Sequence, residues 1–121
     1  MSTLEVRQYQ TLDGRTPFGE WLGGLRDGRA RAKVVARVDR MQAGLRGDWK
    51  PVGRGVFELR IDCGPGYRIY CGQDRSTVIL LLLGGDKRTQ ERDIEVAHVY
   101  WQDYKTRSAQ RSIQRRALPP Q

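Results

Sequence analysis

The stretch GVFELRIDCGPGYRIYCG, residues 55–72, decides the fold of this 121-residue chain. Apolar and polar side chains alternate on both sides of Gly64-Pro65-Gly66, which is a turn signal. A period of two on each side of a turn predicts an antiparallel hairpin with one apolar and one polar face. The polar face would then collect the four side chains Glu58, Arg60, Arg68 and Tyr70.

The segment before this hairpin predicts a strand and two helices. Residues 4–11 alternate in the manner of a first strand. Thr16-Pro17 is typical of a helix start, and the apolar spacing that follows predicts a helix ending near Asp27-Gly28. A second helix is predicted over about 29–44, with a buried stripe of Val34, Val35, Val38, Met41 and Leu45. The short connection predicts a helical hairpin, and residues 47–55 are interpreted as a loop.

The segment after the hairpin predicts one more strand and one more helix. The apolar run 78–83 does not alternate, which is typical of a central strand covered on both faces. Gly84-Gly85 ends it, and a third helix is predicted to carry its apolar residues as far as Tyr104. The order β-α-α-β-β-β-α predicts an α+β fold. Its small antiparallel sheet, mixed through the N-terminal strand, would be packed on one face by the N-terminal helical hairpin, with a C-terminal helix.

The charge of the chain is strongly positive and unevenly distributed. Lysine and arginine number 22 against 14 aspartate and glutamate, a net charge of +8, which favours a polyanionic partner. Residues 26–54 hold nine basic and three acidic side chains, and residues 105–121 hold five basic and no acidic ones. We therefore expect a single domain over 1–104 followed by a basic, flexible tail over 105–121.

Length and composition exclude several classes of protein. The longest apolar run has six residues, whereas a membrane-spanning helix needs about 20. The N-terminus lacks an apolar signal region, so we expect a cytoplasmic protein with no membrane partner. Cys63 and Cys71 are out of register across the hairpin and are expected to be free thiols. Two cysteines and one histidine are a poor basis for a zinc site, so no metal is expected.

Five segments, in this order and spacing, resemble the RelE/HigB-like superfamily of toxins from type II toxin–antitoxin systems, in the branch once labelled addiction-module killer proteins. They are Phe18 with Trp21-Leu22, residues 55–62, residues 64–70, residues 80–87 with Gln90, and Asp93-Ile94 with Ala97, Tyr100-Trp101 and Asp103-Tyr104. The resemblance implies a microbial-type RNase fold and a ribosome-dependent mRNA endonuclease. It also implies a cognate antitoxin, often an adjacently encoded helix-turn-helix protein, and no metal or organic cofactor.

Metal-free RNA cleavage needs a base, an acid and cations around the phosphate. Arg68 matches the family's arginine that contacts the scissile phosphate, and Lys87 matches the segment that supplies a catalytic cation, with Arg88 as the alternative. Arg60 would support the phosphate or pair with Glu58. Glu58 would be either a general base or the partner that holds Arg60. Tyr70 is a further candidate on the same strand pair.

Other residues have both a functional and a structural interpretation. Lys50 and Arg54 could bind the RNA backbone, as could the basic helix 29–40, or these side chains could be plain solvated surface. His98 is interpreted as a partly buried structural residue, and Trp49 either stacks on a base or covers the core. The chain also departs from the RelE pattern. Val56 and Glu58 replace strand lysines, and Asp93-Ile94 replace a helical tyrosine, so acid and base stay unassigned.

Two rival functions stay open beside the nuclease. One is a toxin of the related ParE branch, which binds and inhibits DNA gyrase without RNA chemistry. The other is a degenerate member that binds RNA only. The cations Arg68 and Lys87 favour the nuclease, because a pure binder does not need them.

Overall fold

A five-stranded mixed sheet with helices on both faces forms the molecule, in a computed structural model that describes residues 3–117. The sheet order is β1-β5-β4-β3-β2, in which β1 runs parallel to β5 and the other neighbours are antiparallel. The elements along the chain are β1 (Glu5–Gln8), α1 (Pro17–Gly24), α2 (Gly28–Gln42), β2 (Trp49–Pro51), β3 (Val56–Ile61), β4 (Tyr67–Asp74), β5 (Val78–Asp86), a 3₁₀ turn (Lys87–Thr89) and α3 (Gln90–Ala117).

The α+β class, the central hairpin and the mixed sheet confirm the sequence prediction. The prediction of a loop over residues 47–55 is wrong in part, because residues 49–51 form the edge strand β2. β2 pairs only with residues 57–59 of β3. The next position along, Asp48, accepts a hydrogen bond from the Arg60 amide at 3.0 Å. The edge of the sheet is therefore short at this end, where Arg60 lies.

The sheet has a separate apolar core on each face. Phe18 of α1 and Val34 and Met41 of α2 pack with the face that carries Leu59 and Ile69. The opposite face packs against Ala97 and Trp101 of α3. The N-terminal helical hairpin therefore covers one face of the sheet, as predicted, and the C-terminal helix covers the other. The polar face of the hairpin lies beneath α3 rather than in solvent, because β5 presents Leu80 and Leu82 on that same side and they require cover.

Close packing of α3 depends on a glycine in the sheet. A Cβ built at Gly72 would lie 2.3 Å from Trp101 Cε3, so only glycine lets the indole lie against β4. α3 then continues without interruption to Ala117, and its last 13 residues are mostly exposed. The predicted flexible tail is thus helical over 105–117, and residues 118–121 lie outside the described residues.

α2 has a capped N-terminus, and its buried residues differ from those of the predicted apolar stripe. Asp27 caps it, its carboxylate accepting hydrogen bonds from the amides of Arg29 and Ala30. Val35 and Leu45 of the predicted stripe are 46% and 61% exposed, whereas Arg37, predicted on the solvated side, is only 6% exposed. Arg37 is buried because its guanidinium donates hydrogen bonds to the backbone carbonyls of Arg46, Asp48 and Arg60.

Cys63 and Cys71 are both free thiols, as predicted, and burial raises the pKa of the Cys71 thiol. Over residues 3–117, no helix combines the length and the apolar character that crossing a membrane requires.

Candidate functional site

A groove at one end of the sheet gathers the cations that the sequence singled out. Its volume is about 390 Å³, and it is lined by Asp48, Arg60, Ile61, Asp62, Gly64, Pro65, Gly66, Tyr67, Arg68 and Lys87. Arg60 lies directly opposite Arg68 across β3 and β4, and Arg68 lies opposite Gly85 of β5. Lys87 follows β5 immediately. The β3–β4 hairpin and the segment that follows β5 thus bring three basic residues to one groove.

The turn between β3 and β4 brings two of these cations together. Gly66 has φ +79°, a conformation that favours glycine. A Cβ built there would lie 3.3 Å from Arg68 Nη1 and 3.7 Å from Lys87 Cβ. The Gly66 carbonyl accepts a hydrogen bond from Arg68 Nη1 at 3.0 Å, which orients the guanidinium. A bare backbone at this position leaves room for both cations at one wall.

Glu58 is the buried centre of the site. Its carboxylate accepts hydrogen bonds from Arg60 Nε at 3.2 Å and Gln90 Nε2 at 2.9 Å, and its Oε2 lies 3.5 Å from Arg68 Nε. The Glu58 side chain is fully buried, while those of Arg60 and Arg68 are 38% and 12% exposed. Glu58 therefore holds two guanidiniums at the groove and does not itself reach the groove surface.

Two further buried polar residues lie where α3 packs on the sheet, Tyr70 of β4 and Asp93 in the first turn of α3. The Tyr70 side chain is fully buried, and its hydroxyl has no hydrogen-bond partner among the described residues. Burial, reinforced by the charge of Glu58, raises the pKa of Tyr70. Asp93 accepts a hydrogen bond from Thr89 Oγ1 at 2.5 Å, and burial raises its pKa. Direct contact with a bound RNA is thus not available to Tyr70 in this structure.

The remaining candidates lie outside this groove. Arg88 is exposed and paired with Asp86, whose pKa its side chain lowers. Lys50 lies on β2 opposite Glu58 and Arg54 lies in the following turn, and both are exposed. His98 Nε2 lies 3.0 Å from the Val52 carbonyl oxygen, which agrees with the structural interpretation.

Trp49 has one face occupied within the fold. Its ring packs edge-on against Phe57, at 5.7 Å between centroids, and the Arg46 guanidinium lies 4.8 Å from its centroid. The residue is 42% exposed. It therefore covers the core edge, and part of its surface stays in contact with solvent.

A second cavity of about 390 Å³ adjoins the first and shares four of its lining residues. The shared wall is Asp48, Arg60, Ile61 and Asp62, and the additional wall from α2 is Lys33, Ala36, Arg37 and Arg40. Sequence reasoning recognised α2 as a basic helix but did not connect it with the hairpin. The i, i+4, i+7 spacing of its three cations is the signal that places them on one helix face.

No group of three His, Cys, Asp or Glu side chains within residues 3–117 has a metal-binding arrangement. The chemistry that the groove offers is that of guanidinium and ammonium groups. These groups bind and neutralise phosphate oxygens, arginine through paired donors and lysine as a point charge.

The fold and the site define a class of small α+β proteins that carry a cationic groove at the end of a mixed sheet. Residues 20–102 match the family described as phage derived protein Gp49-like (DUF891), and the chain belongs to that family. The family is associated with addiction-module killer, or toxin, proteins. A protein of Haemophilus influenzae described as "Uncharacterized protein" is 48% identical over 101 residues, which cover 84% of this chain and 96% of that relative.

Proposed function

We propose that this protein is the toxin of a type II toxin–antitoxin pair and that it cleaves mRNA on the ribosome, the activity implied by its resemblance to RelE/HigB-like toxins. The observation that carries the proposal is the convergence of Arg60, Arg68 and Lys87 on one groove. A surface that only binds a protein has no need of three cations that line one groove. The toxin-associated family is consistent with the proposal.

In the proposed reaction the ribose 2′-oxygen attacks the adjacent phosphorus and the bond from phosphorus to the 5′-oxygen breaks. The 2′-hydroxyl gives up its proton to solvent and the leaving 5′-oxygen takes one up, so the products are a 2′,3′-cyclic phosphate and a 5′-hydroxyl. Arg68 would hold the non-bridging oxygens, and Lys87 would neutralise the charge that develops on the phosphorane and the leaving oxygen. Arg60 would add a second guanidinium beside Arg68. Holding these cations in fixed positions avoids reorganisation during the reaction.

Glu58 has a positioning role in this proposal, since its carboxylate is buried behind both arginines. Arg88, Lys50 and Arg54 would bind RNA backbone as exposed cations. The partners are mRNA on the ribosome and a cognate antitoxin, for which an adjacently encoded helix-turn-helix protein is the expectation. The proposed reaction calls for no small-molecule cofactor.

The direct test is induced expression in a bacterium, followed by mapping of mRNA ends and of plasmid supercoiling. Cuts in phase with codons of translated messages are the expected result. Altered supercoiling with intact mRNA would overturn the proposal in favour of a gyrase inhibitor of the ParE type. Growth and mRNA both unaffected would leave the RNA-binding interpretation in its place.

A substitution at Arg68 tests the site assignment. Arg68→Lys keeps a positive charge beside the buried Glu58 but removes the paired donors of the guanidinium. We expect mRNA cleavage to fall by about 100-fold or more while the melting temperature changes little. Arg29→Lys, an exposed arginine of α2 outside both cavities, is the matched control and should cleave normally. Full cleavage by the Arg68 variant would contradict the assignment.

A further inference from the structure

The two adjoining cavities share four lining residues beside the short edge of β3, and we treat them together as one groove. Cations lie at both ends of it. Arg68 and Lys87 stand at the hairpin end, and three basic residues of α2 stand at the other. Arg60 lies in the shared wall between them, together with Asp48 and Asp62. Basic residues thus line the groove at two separate places, an arrangement that two phosphates of one strand would fit.

Arg37 makes the α2 end of the groove a built feature. Its guanidinium donates four hydrogen bonds to backbone carbonyls: two to Arg46 at 3.0 and 2.7 Å, one to Asp48 at 2.6 Å and one to Arg60 at 2.6 Å. Within residues 3–117 it forms no ion pair with a carboxylate. No carboxylate in the described part of the chain neutralises this buried guanidinium, so Arg37 adds positive charge to the wall of the cavity that it lines, while its donors are used mainly by the backbone.

Lys33 and Arg40 flank Arg37 on the same helix face. Both are exposed, and neither forms an ion pair with any carboxylate of the described chain. Like charges three and four residues apart repel one another, which weakens the helix. Ala36 between them is small and leaves the cavity open. A polyanion lying in the groove would relieve this repulsion and complement Arg37.

We propose that Lys33, Arg37 and Arg40 form a second phosphate-binding subsite for single-stranded RNA, continuous with the groove at Arg68. The subsite binds the backbone of the strand a short distance from the phosphate held by Arg68. The inference rests on the proposed function in taking RNA as the ligand. The path from Arg68 to α2 passes around the short edge of β3, and a single strand follows such a bend more readily than a stiff duplex. Backbone contacts of this kind provide affinity without sequence preference.

Binding of a labelled 12-nucleotide 2′-O-methyl RNA by the full chain tests the subsite, because that RNA cannot be cut through its 2′-oxygen. Lys33→Gln with Arg40→Gln is the test variant. Arg26→Gln with Arg29→Gln is the matched control, with the same charge loss from exposed residues that line neither cavity. We expect the test variant to lose about 10-fold in affinity at 0.1 M salt. The slope of log affinity against log salt should fall by about 1.4, or two phosphate contacts, and the control should stay within about twofold.

Equal losses in the two double variants would overturn the subsite, because bulk charge would then account for the binding. Equal affinity for a duplex of the same length would overturn the single-strand assignment. The result also separates this inference from the proposed function. A difference between the variants in a protein that leaves cellular mRNA intact would keep the subsite and remove the nuclease. Codon-phased cleavage with no difference between the variants would do the reverse.

Discussion

Glu58 illustrates how one buried residue sets the electrostatics of the site. Arg60 and Arg68 face each other directly across two strands, an arrangement in which like charges destabilise a sheet. The Glu58 carboxylate lies between them and also accepts a hydrogen bond from Gln90. Desolvation of this carboxylate is offset by its contacts with two guanidiniums and one amide. The arginines are therefore held at the groove by a group that the solvent does not reach.

Replacing Glu58 by Gln should lower the free energy of unfolding by about 1–3 kcal/mol. Glutamine keeps the shape but loses the negative charge, so the repulsion between Arg60 and Arg68 is no longer compensated. Urea unfolding of the variant measures the loss. Glu95→Gln, at an exposed position on α3, is the control and should change the free energy by less than about 0.5 kcal/mol.

The double variant Glu58→Gln with Arg60→Gln measures how strongly the two side chains are coupled. Their ion pair is absent from both single variants, so the double variant should lose less stability than the sum of the two. Additive losses would show that Glu58 stabilises the fold independently of Arg60.

At the level of elements, the alternation in residues 55–72 and the apolar run of β5 were sufficient to predict the central strands. β2 was missed because a three-residue edge strand that ends in Pro51 carries no period. Arg37 was placed in solvent because helix periodicity does not reveal which carbonyls a distant segment will present. The alternation correctly placed Glu58, Arg60, Arg68 and Tyr70 on one face of the hairpin, but it did not show that Arg60 lies directly opposite Arg68. The burial of Glu58 depends on α3 crossing that face.

α3 extends past Tyr104 although its apolar stripe ends there. Each added helical residue gains a hydrogen bond once the helix is nucleated, and residues 105–117 contain neither glycine nor proline to stop it. Arg107 fastens the first part of this extension, donating to Asp103 Oδ2 and to the Gln10 carbonyl, both at 2.6 Å. Disorder was predicted for residues 105–121 because they contain few apolar side chains. That argument left out the tendency of a helix, once formed, to extend along the chain.

Tyr9 links the end of β1 to α3 and should make stability depend on alkaline pH. Its hydroxyl donates to Asp103 Oδ2 at 2.5 Å, and burial, then this hydrogen bond, raises the pKa of Tyr9 to about 12. The unfolded chain loses this proton near pH 10, while the folded chain keeps it. The stabilisation is therefore complete below pH 10 and is lost as the pH rises toward 12, by at most about 1.4 kcal/mol per pH unit.

Urea unfolding of the natural chain and of Tyr9→Phe at pH 9, 10 and 11 measures this dependence. The phenylalanine variant has no proton to lose at this position, so its free energy of unfolding should decline less steeply above pH 10. Parallel curves for the two proteins would contradict the link between Tyr9 and Asp103.

For the whole molecule, the net charge of +8 separates into two regions of different character. The groove holds its cations in fixed positions, through Glu58 at one end and backbone carbonyls at the other. The exposed end of α3 holds Lys105, Arg107, Arg111, Arg115 and Arg116 on a helix with few contacts to the sheet. Fixed cations suit recognition of individual phosphates, whereas an exposed basic helix suits long-range attraction to a polyanion.

A chain ending at Tyr104 should separate these two roles. It lacks the hydrogen bonds of Arg107 to Asp103 and Gln10, so we expect a loss of about 1 kcal/mol in the free energy of unfolding, with cooperative melting preserved. Both cores and all groove residues lie before the cut. Cleavage at saturating RNA should therefore be unchanged, while RNA affinity falls and depends less steeply on salt, because five basic side chains are absent.

A chain ending at Ser108 is the control, since it keeps Arg107 and removes only the outer basic residues. Its melting temperature should equal that of the full chain, while its RNA affinity should show most of the salt effect. If the chain ending at Ser108 loses cooperative melting, the outer turns of α3 are part of the folding unit and the domain does not end near residue 104. If it melts normally but no longer cleaves saturating RNA, the end of α3 belongs to the catalytic site rather than to long-range attraction.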